Sequence, residues 1–173
     1  MPQPRRLHLV GVLLVALSSA VPASAQNNDP GAVLRDDRIR IGLTLGGTGF
    51  VGVVGEYQRN DWSAELVLGT ISFREVSVAL SGKRYFSSGN LRPAVGLGLW
   101  SLSAWTEDGS GSVLLLRAPV AADWRFSNEH AMGVEVGFNR GLAVNRLDPE
   151  DDTPVNTSIV PFPGAYYRYG WSP

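Results

Sequence analysis

The sequence predicts an all-β fold: an eight-stranded antiparallel up-and-down transmembrane β-barrel. Three observations lead there. The stretch AMGVEVGFNRG at 131–141 alternates with a period of two, Met132, Val134, Val136 and Phe138 on one side and Gly133, Glu135, Gly137 and Asn139 on the other. Successive strand side chains face opposite ways, so this is a strand with one apolar face. The same alternation recurs in eight segments. In each, the face opposite the apolar one mixes charges with small residues.

The eight candidate strands are 38–47, 50–59, 62–71, 74–86, 91–105, 113–126, 131–146 and 156–171. Turn chemistry separates them: GTG near 47–49, ND at 60–61, SSGN at 87–90, EDGSGS at 107–112, SNEH at 127–130 and LDPEDDTP at 147–154. Such glycine, asparagine, aspartate and proline clusters end strands. No long stretch holds a helical period. An even number of strands joined by hairpins suits an up-and-down barrel. GGTG at 46–49 lacks the Lys-Ser/Thr and the following helix of a phosphate loop and reads as a hairpin turn.

The N-terminus reads as a leader. Arg5 and Arg6 precede an apolar run from Leu7 to Val21, and ASA at 23–25 supplies a small-residue cleavage site, the three regions of a secretory signal peptide. The expected organisation is a signal peptide at 1–25, a polar lead-in at 26–37 and the barrel at 38–171. Cleavage removes Arg5 and Arg6 and takes the formal charge from −1 to −3. It also leaves His130 as the one histidine. There is no cysteine, hence no disulfide framework and no lipoprotein anchor. No basic cluster serves nucleic-acid phosphates. One histidine and no cysteine leave only carboxylates for a metal, so no metal or other cofactor is expected.

Which face is inside decides what the chain can be. Apolar-face positions include Ile39, Ile41, Leu43, Val51, Val53, Leu66, Leu68, Val76, Leu80, Val95, Leu97, Leu114, Val120 and Trp124. The opposite face carries Arg40, Glu56, Glu65, Glu75, Lys83, Arg92, Arg117, Asp123, Arg125, Glu135 and Arg168, the expected charges of a polar lumen. Three features place that polar face inside. It is rich in glycine, which weakens a wet strand but fits a lumen only just wide enough for side chains. Beyond the leader the chain has one lysine, Lys83, against a dozen arginines, and arginine is the better partner for desolvated ion pairs. Finally, Tyr57, Trp62, Tyr85, Phe86, Trp124, Phe126, Tyr167, Tyr169 and Trp171 gather near one rim, the pattern of an aromatic girdle. Charges on the apolar phase are few (Arg59, Arg74, Arg84 and Arg140) and lie near strand ends, where a lipid-facing arginine costs little.

Connections alternate in length. Those at 60–61, 87–90 and 127–130 are short, while 106–112 and 147–155, at the other rim, are the longest. An outer-membrane barrel keeps its short turns in the periplasm.

With these features the chain resembles the small eight-stranded outer-membrane β-barrel proteins of Gram-negative bacteria. The last strand, GAYYRYGW at 164–171, places Gly164, Tyr167 and Tyr169 much as that family's C-terminal assembly signal does. The chain departs from it by ending Trp171-Ser172-Pro173 and by carrying Phe162 where a polar residue is common. The resemblance implies an outer-membrane location, contact with outer-membrane lipids and lipopolysaccharide, delivery by the barrel-assembly machinery, and a monomer. The expected role is non-enzymatic, structural or interaction-bearing through the extracellular loops, above a plugged lumen. Arg74, Arg140 and Arg146 near the upper rim are candidates for lipopolysaccharide phosphates. The acidic loop with Asp148, Glu150, Asp151 and Asp152 lacks the glycine and terminal glutamate of a calcium loop and reads as a solvated loop. Two alternatives differ in class. A lipid A-modifying enzyme needs a histidine beside a serine and an acid, and the one candidate is His130 with Ser127 and Glu129, on the short-turn rim. A soluble lipocalin-like carrier needs the apolar face inside.

Overall fold

The computed structural model describes residues 37–106, 109–146, 151 and 153–173. The signal peptide at 1–25, the lead-in up to 36, and Asp148, Glu150 and Asp152 lie outside the described residues. Eight strands follow in order: β1 Asp37–Gly46, β2 Gly49–Arg59, β3 Trp62–Thr70, β4 Glu75–Tyr85, β5 Leu91–Thr106, β6 Gly109–Arg125, β7 His130–Asn145 and β8 Val160–Trp171. Each pairs antiparallel with the next, and β1 pairs with β8. The result is a closed eight-stranded barrel with up-and-down connectivity.

Two strand starts differ from the sequence expectation by more than one residue. β6 begins at Gly109 rather than 113, because Gly109–Ser112 continue the ladder opposite Ser103–Thr106. Pairing to a neighbour overrides the low strand propensity of that glycine-serine run. β8 begins at Val160 rather than 156, where its ladder to β7 starts opposite Asn139. At the tight β1–β2 turn Gly46 and Gly47 take positive φ of 74° and 72°, a conformation open to glycine.

The polar face is inside and the apolar face outside. Leu43, Leu45, Leu97 and Val134 are 58–62% exposed on the outer wall, while Arg40, Glu56, Glu65, Lys83, Asp123 and Arg168 are at most 4% exposed within it. The soluble-carrier alternative required the reverse. β1–β4 are 9–11 residues long, the length of a tilted membrane-crossing strand. β5, β6 and β7 run to 16 or 17 residues and project past the others at the long-loop rim.

The lumen glycines are spaces for large neighbours. A Cβ on Gly133 would meet the Tyr166 ring, one on Gly137 the Arg117 guanidinium, and one on Gly170 the Cγ of Arg40 at 2.7 Å. Gly55 faces outward with nothing within 4 Å. Gly133→Val therefore overpacks the lumen and costs about 1–3 kcal/mol, whereas Gly55→Val leaves the barrel intact. The midpoint of the heat-induced gel-mobility shift is expected to fall for the first variant and hold for the second.

Candidate functional site

The centre of the lumen holds four cations and four carboxylates from seven of the eight strands. They form one chain of ion pairs. Asp123 on β6 accepts from Arg40 on β1 at 3.0 Å, and Arg40 reaches Glu56 on β2 at 2.8 Å. Glu56 also pairs with Arg168 on β8 at 2.5 Å. Arg168 contacts Glu65 on β3, which lies 2.8 Å from Lys83 on β4. Lys83 contacts Glu135 on β7, and Glu135 contacts Arg117 on β6. Every member but the two at the ends serves two partners. An isolated buried charge is prohibitive, and pairing with further hydrogen bonds is what makes these tolerable.

Two tyrosines complete the cluster. The Tyr85 hydroxyl donates to Glu56 at 2.7 Å and accepts from Arg40 at 2.6 Å. Tyr166 lies with Arg168 3.8 Å above its ring centroid. Tyr85 was expected in the aromatic girdle; it is 2% exposed inside the barrel. It shares the inward phase of Lys83, two residues before it, and that phase was the signal that could have placed it. Trp62, Phe86, Trp124, Phe126, Tyr57, Tyr167, Tyr169 and Trp171 do lie on the outside, 39–61% exposed.

Three of the eleven expected lumen charges stand apart from the chain. Arg92 is buried but has no carboxylate partner among the described residues. It donates to Gln58 Oε1 at 3.1 Å and to the Ser87 carbonyl at 2.9 Å, over the Tyr85 ring. Glu75 sits at the upper rim and caps the β3–β4 turn, accepting from the Ser72 amide at 2.9 Å and its hydroxyl at 2.6 Å. Arg125 sits at the lower rim, where it donates to the Ser88 carbonyl at 3.1 Å. All three have the inward phase; height along the barrel removes Glu75 and Arg125 from the chain, whereas Arg92 stands opposite Asp123 in register but turns to Gln58 instead.

Above the charges the lumen turns apolar. Val54, Val67, Ala79 and Trp100 form a buried cluster against Leu115, and Phe162 meets Trp100 edge-on at 5.6 Å. Trp100 Nε1 donates to Ser77 Oγ at 2.7 Å, and Ser77 donates to the Thr48 carbonyl. Phe162, unusual for the assembly signal, thus belongs to the lumen's upper packing. The void between the charged and apolar layers measures about 20 Å³, room for about one water.

No family model and no curated protein matches the sequence. In shape it is similar to the crystal structure of the N-terminal β-barrel domain of Pseudomonas aeruginosa OprF, with a TM-score of 0.57 at 15% identity, over 79% of this chain and 99% of that one. The two chains share a fold. The expected resemblance to small eight-stranded barrels is met at that level.

The remaining candidates are dispersed. His130 Nδ1 meets the Tyr167 hydroxyl at 2.5 Å, and its ring stacks on Phe126. The Ser127 hydroxyl instead accepts from the backbone amides of Glu129 and His130 at 3.2 and 3.0 Å. Histidine and serine are therefore not joined as base and nucleophile. Arg74 lies in the β3–β4 turn and Arg140 on β7, three strands on, while Arg146 is taken up by Asp151 at 2.7 Å and the Thr153 carbonyl. Hydrogen bonds from Thr153, then the Arg146 charge, hold the Asp151 carboxyl below its ordinary range. Among the described residues no group of three or more metal-binding side chains converges.

Glu56 joins Arg40, Arg168 and Tyr85 in the middle of the cluster. Glu56→Gln deprives Arg40 and Arg168 of a shared carboxylate, and removing one partner of a buried pair costs about 3–5 kcal/mol. Glu75→Gln, at the wet rim, is expected to change stability by under ~0.5 kcal/mol. Urea titration of the folded barrel, followed by tryptophan fluorescence, measures both.

Proposed function

We propose that the chain is an outer-membrane β-barrel protein, non-enzymatic, with a plugged lumen and an interaction role carried by the long-loop rim. The observation that carries this is the inversion of the wall: an exposed apolar face around an interior of buried charge. Water would penalise that outer face, and lipid matches it. A closed barrel is the one β structure that satisfies its backbone in hydrocarbon. The fold is that of the OprF barrel, and OprF is an outer-membrane protein.

The short turns then face the periplasm and the projecting β5–β7 end faces outward. The plug follows from the ion-pair chain and the small void beside it. Arg74 and Arg140 at the outer rim are offered to lipopolysaccharide phosphates, and Arg146 is left out because Asp151 already holds it. The C-terminal strand, closed against β1, would be presented to the barrel-assembly machinery during insertion. Closure leaves no free edge between β1 and β8, which favours a monomer.

Two measurements test the reading. The protein is expected in the outer-membrane fraction, migrating in SDS at one mobility unheated and another after boiling. Recovery in a soluble periplasmic extract with no shift overturns it. In planar bilayers the folded protein is expected to give no discrete conductance steps; regular steps overturn the plug and leave the barrel.

A further inference from the structure

Arg84 stands on the lipid-facing side of β4, one residue from its end. Its guanidinium lies 5.6 Å from the ring centroids of both Trp62 and Phe86. Among the described residues it makes no hydrogen bond and no ion pair. Strand register places Arg59 opposite Trp62, and Trp62 opposite Arg84. The two arginines therefore flank one exposed tryptophan on a single outward face, about 10 Å apart by strand spacing. Arg59 is held only loosely, its Nε 4.0 Å from Asp37, with a side chain 50% exposed. Asp61, in the turn between them, pairs with neither. Arg140, outward at the opposite rim, has no such ring contact among the described residues.

An outward guanidinium between aromatic rings is at the level where rings settle among headgroups. It keeps a planar fork of donors that matches phosphate oxygens. Among the described residues the rim leans positive, with Arg38, Arg59, Arg84 and Arg125 against Asp37, Asp61 and Glu129. From this geometry we propose that Arg59, Trp62, Arg84 and Phe86 form a binding site for the headgroup phosphate of an anionic phospholipid in the periplasmic leaflet. The proposal rests on the membrane reading above. The net negative headgroup matters because a zwitterionic lipid carries its own cation beside the phosphate.

The test compares heat-shift midpoints of the folded full chain in vesicles of phosphatidylcholine alone and with phosphatidylglycerol added. The wild type is expected to gain on the order of 2–4 °C per arginine from phosphatidylglycerol. The Arg59→Gln/Arg84→Gln variant is expected to lose most of that gain while keeping its midpoint in phosphatidylcholine. Equal gains in both proteins overturn the site. Sodium phosphate added to phosphatidylcholine vesicles is expected to change nothing; a matching rise would show an adventitious anion only and overturn the lipid assignment. Mass spectrometry of protein purified from membranes gives a second measure: the wild type retains phosphatidylglycerol and the double variant releases it. A wild type with no heat shift in either vesicle overturns the membrane reading itself, a result distinct from a folded barrel indifferent to lipid charge.

Discussion

A lumen only as wide as eight strands allow has to be filled, and this one is filled by charges that cannot be left alone. The chain from Asp123 through Arg40, Glu56, Arg168, Glu65, Lys83 and Glu135 to Arg117 meets that constraint by sharing. Four cations face four carboxylates, and each inner member spans two partners. Because the members come from seven strands, the chain also fixes register. A slip of one residue in any strand would send its lumen charge to the outer wall and strand a partner inside. The glycines are the other half of the same arrangement. Tyr166 and Arg117 fit because Gly133 and Gly137 offer them no Cβ.

The period-two pattern makes the fold and the inner face legible in the sequence, since both depend only on alternation and turn residues. Alternation also assigns Tyr85 to the inside, whereas nearness to the rim groups it with Phe86 on the outside. What alternation does not carry is height. Glu75, Arg125 and Arg92 share the inward phase with Glu56, yet register and strand tilt put the first two at opposite rims and give the third an amide partner in place of a carboxylate. Partner choice among buried charges is likewise set by shear around the barrel, which brings Arg168 to Glu56 across 112 residues. The apolar upper layer was invisible for a related reason. Trp100, Val54 and Val67 sit in the polar phase, and nothing local marks them as the ceiling of a charged chamber.

The two rims divide the labour. At the short-turn rim, side chains tie the turns down: Arg125 to Ser88, Arg92 to Ser87, and Ser127 to the amides that follow it. Outward from these runs a connected series of rings, Trp124 with Phe126, Phe126 with His130, and His130 with Tyr167 and Tyr169. This is an anchored end. At the other rim β5, β6 and β7 continue past their neighbours, and Phe73 holds a positive φ of 62° while 82% exposed. A bulky residue in that conformation is strained, and a stable barrel beneath can carry that strain.

The inversion of the wall also explains why the ion-pair chain is affordable here. In a soluble barrel, replacing a buried ion cluster by apolar side chains is often neutral or stabilising. In a membrane barrel the same replacement would leave both faces of each strand apolar. The chain would then lose the difference that tells inside from outside, because lipid accepts either face. Charge within the lumen is therefore what directs each strand: turned the wrong way, it would put Arg40 or Glu65 into hydrocarbon, at about 2–4 kcal/mol for an arginine at the midplane. The stability surrendered by burying charge is returned as a single permitted orientation for the strands.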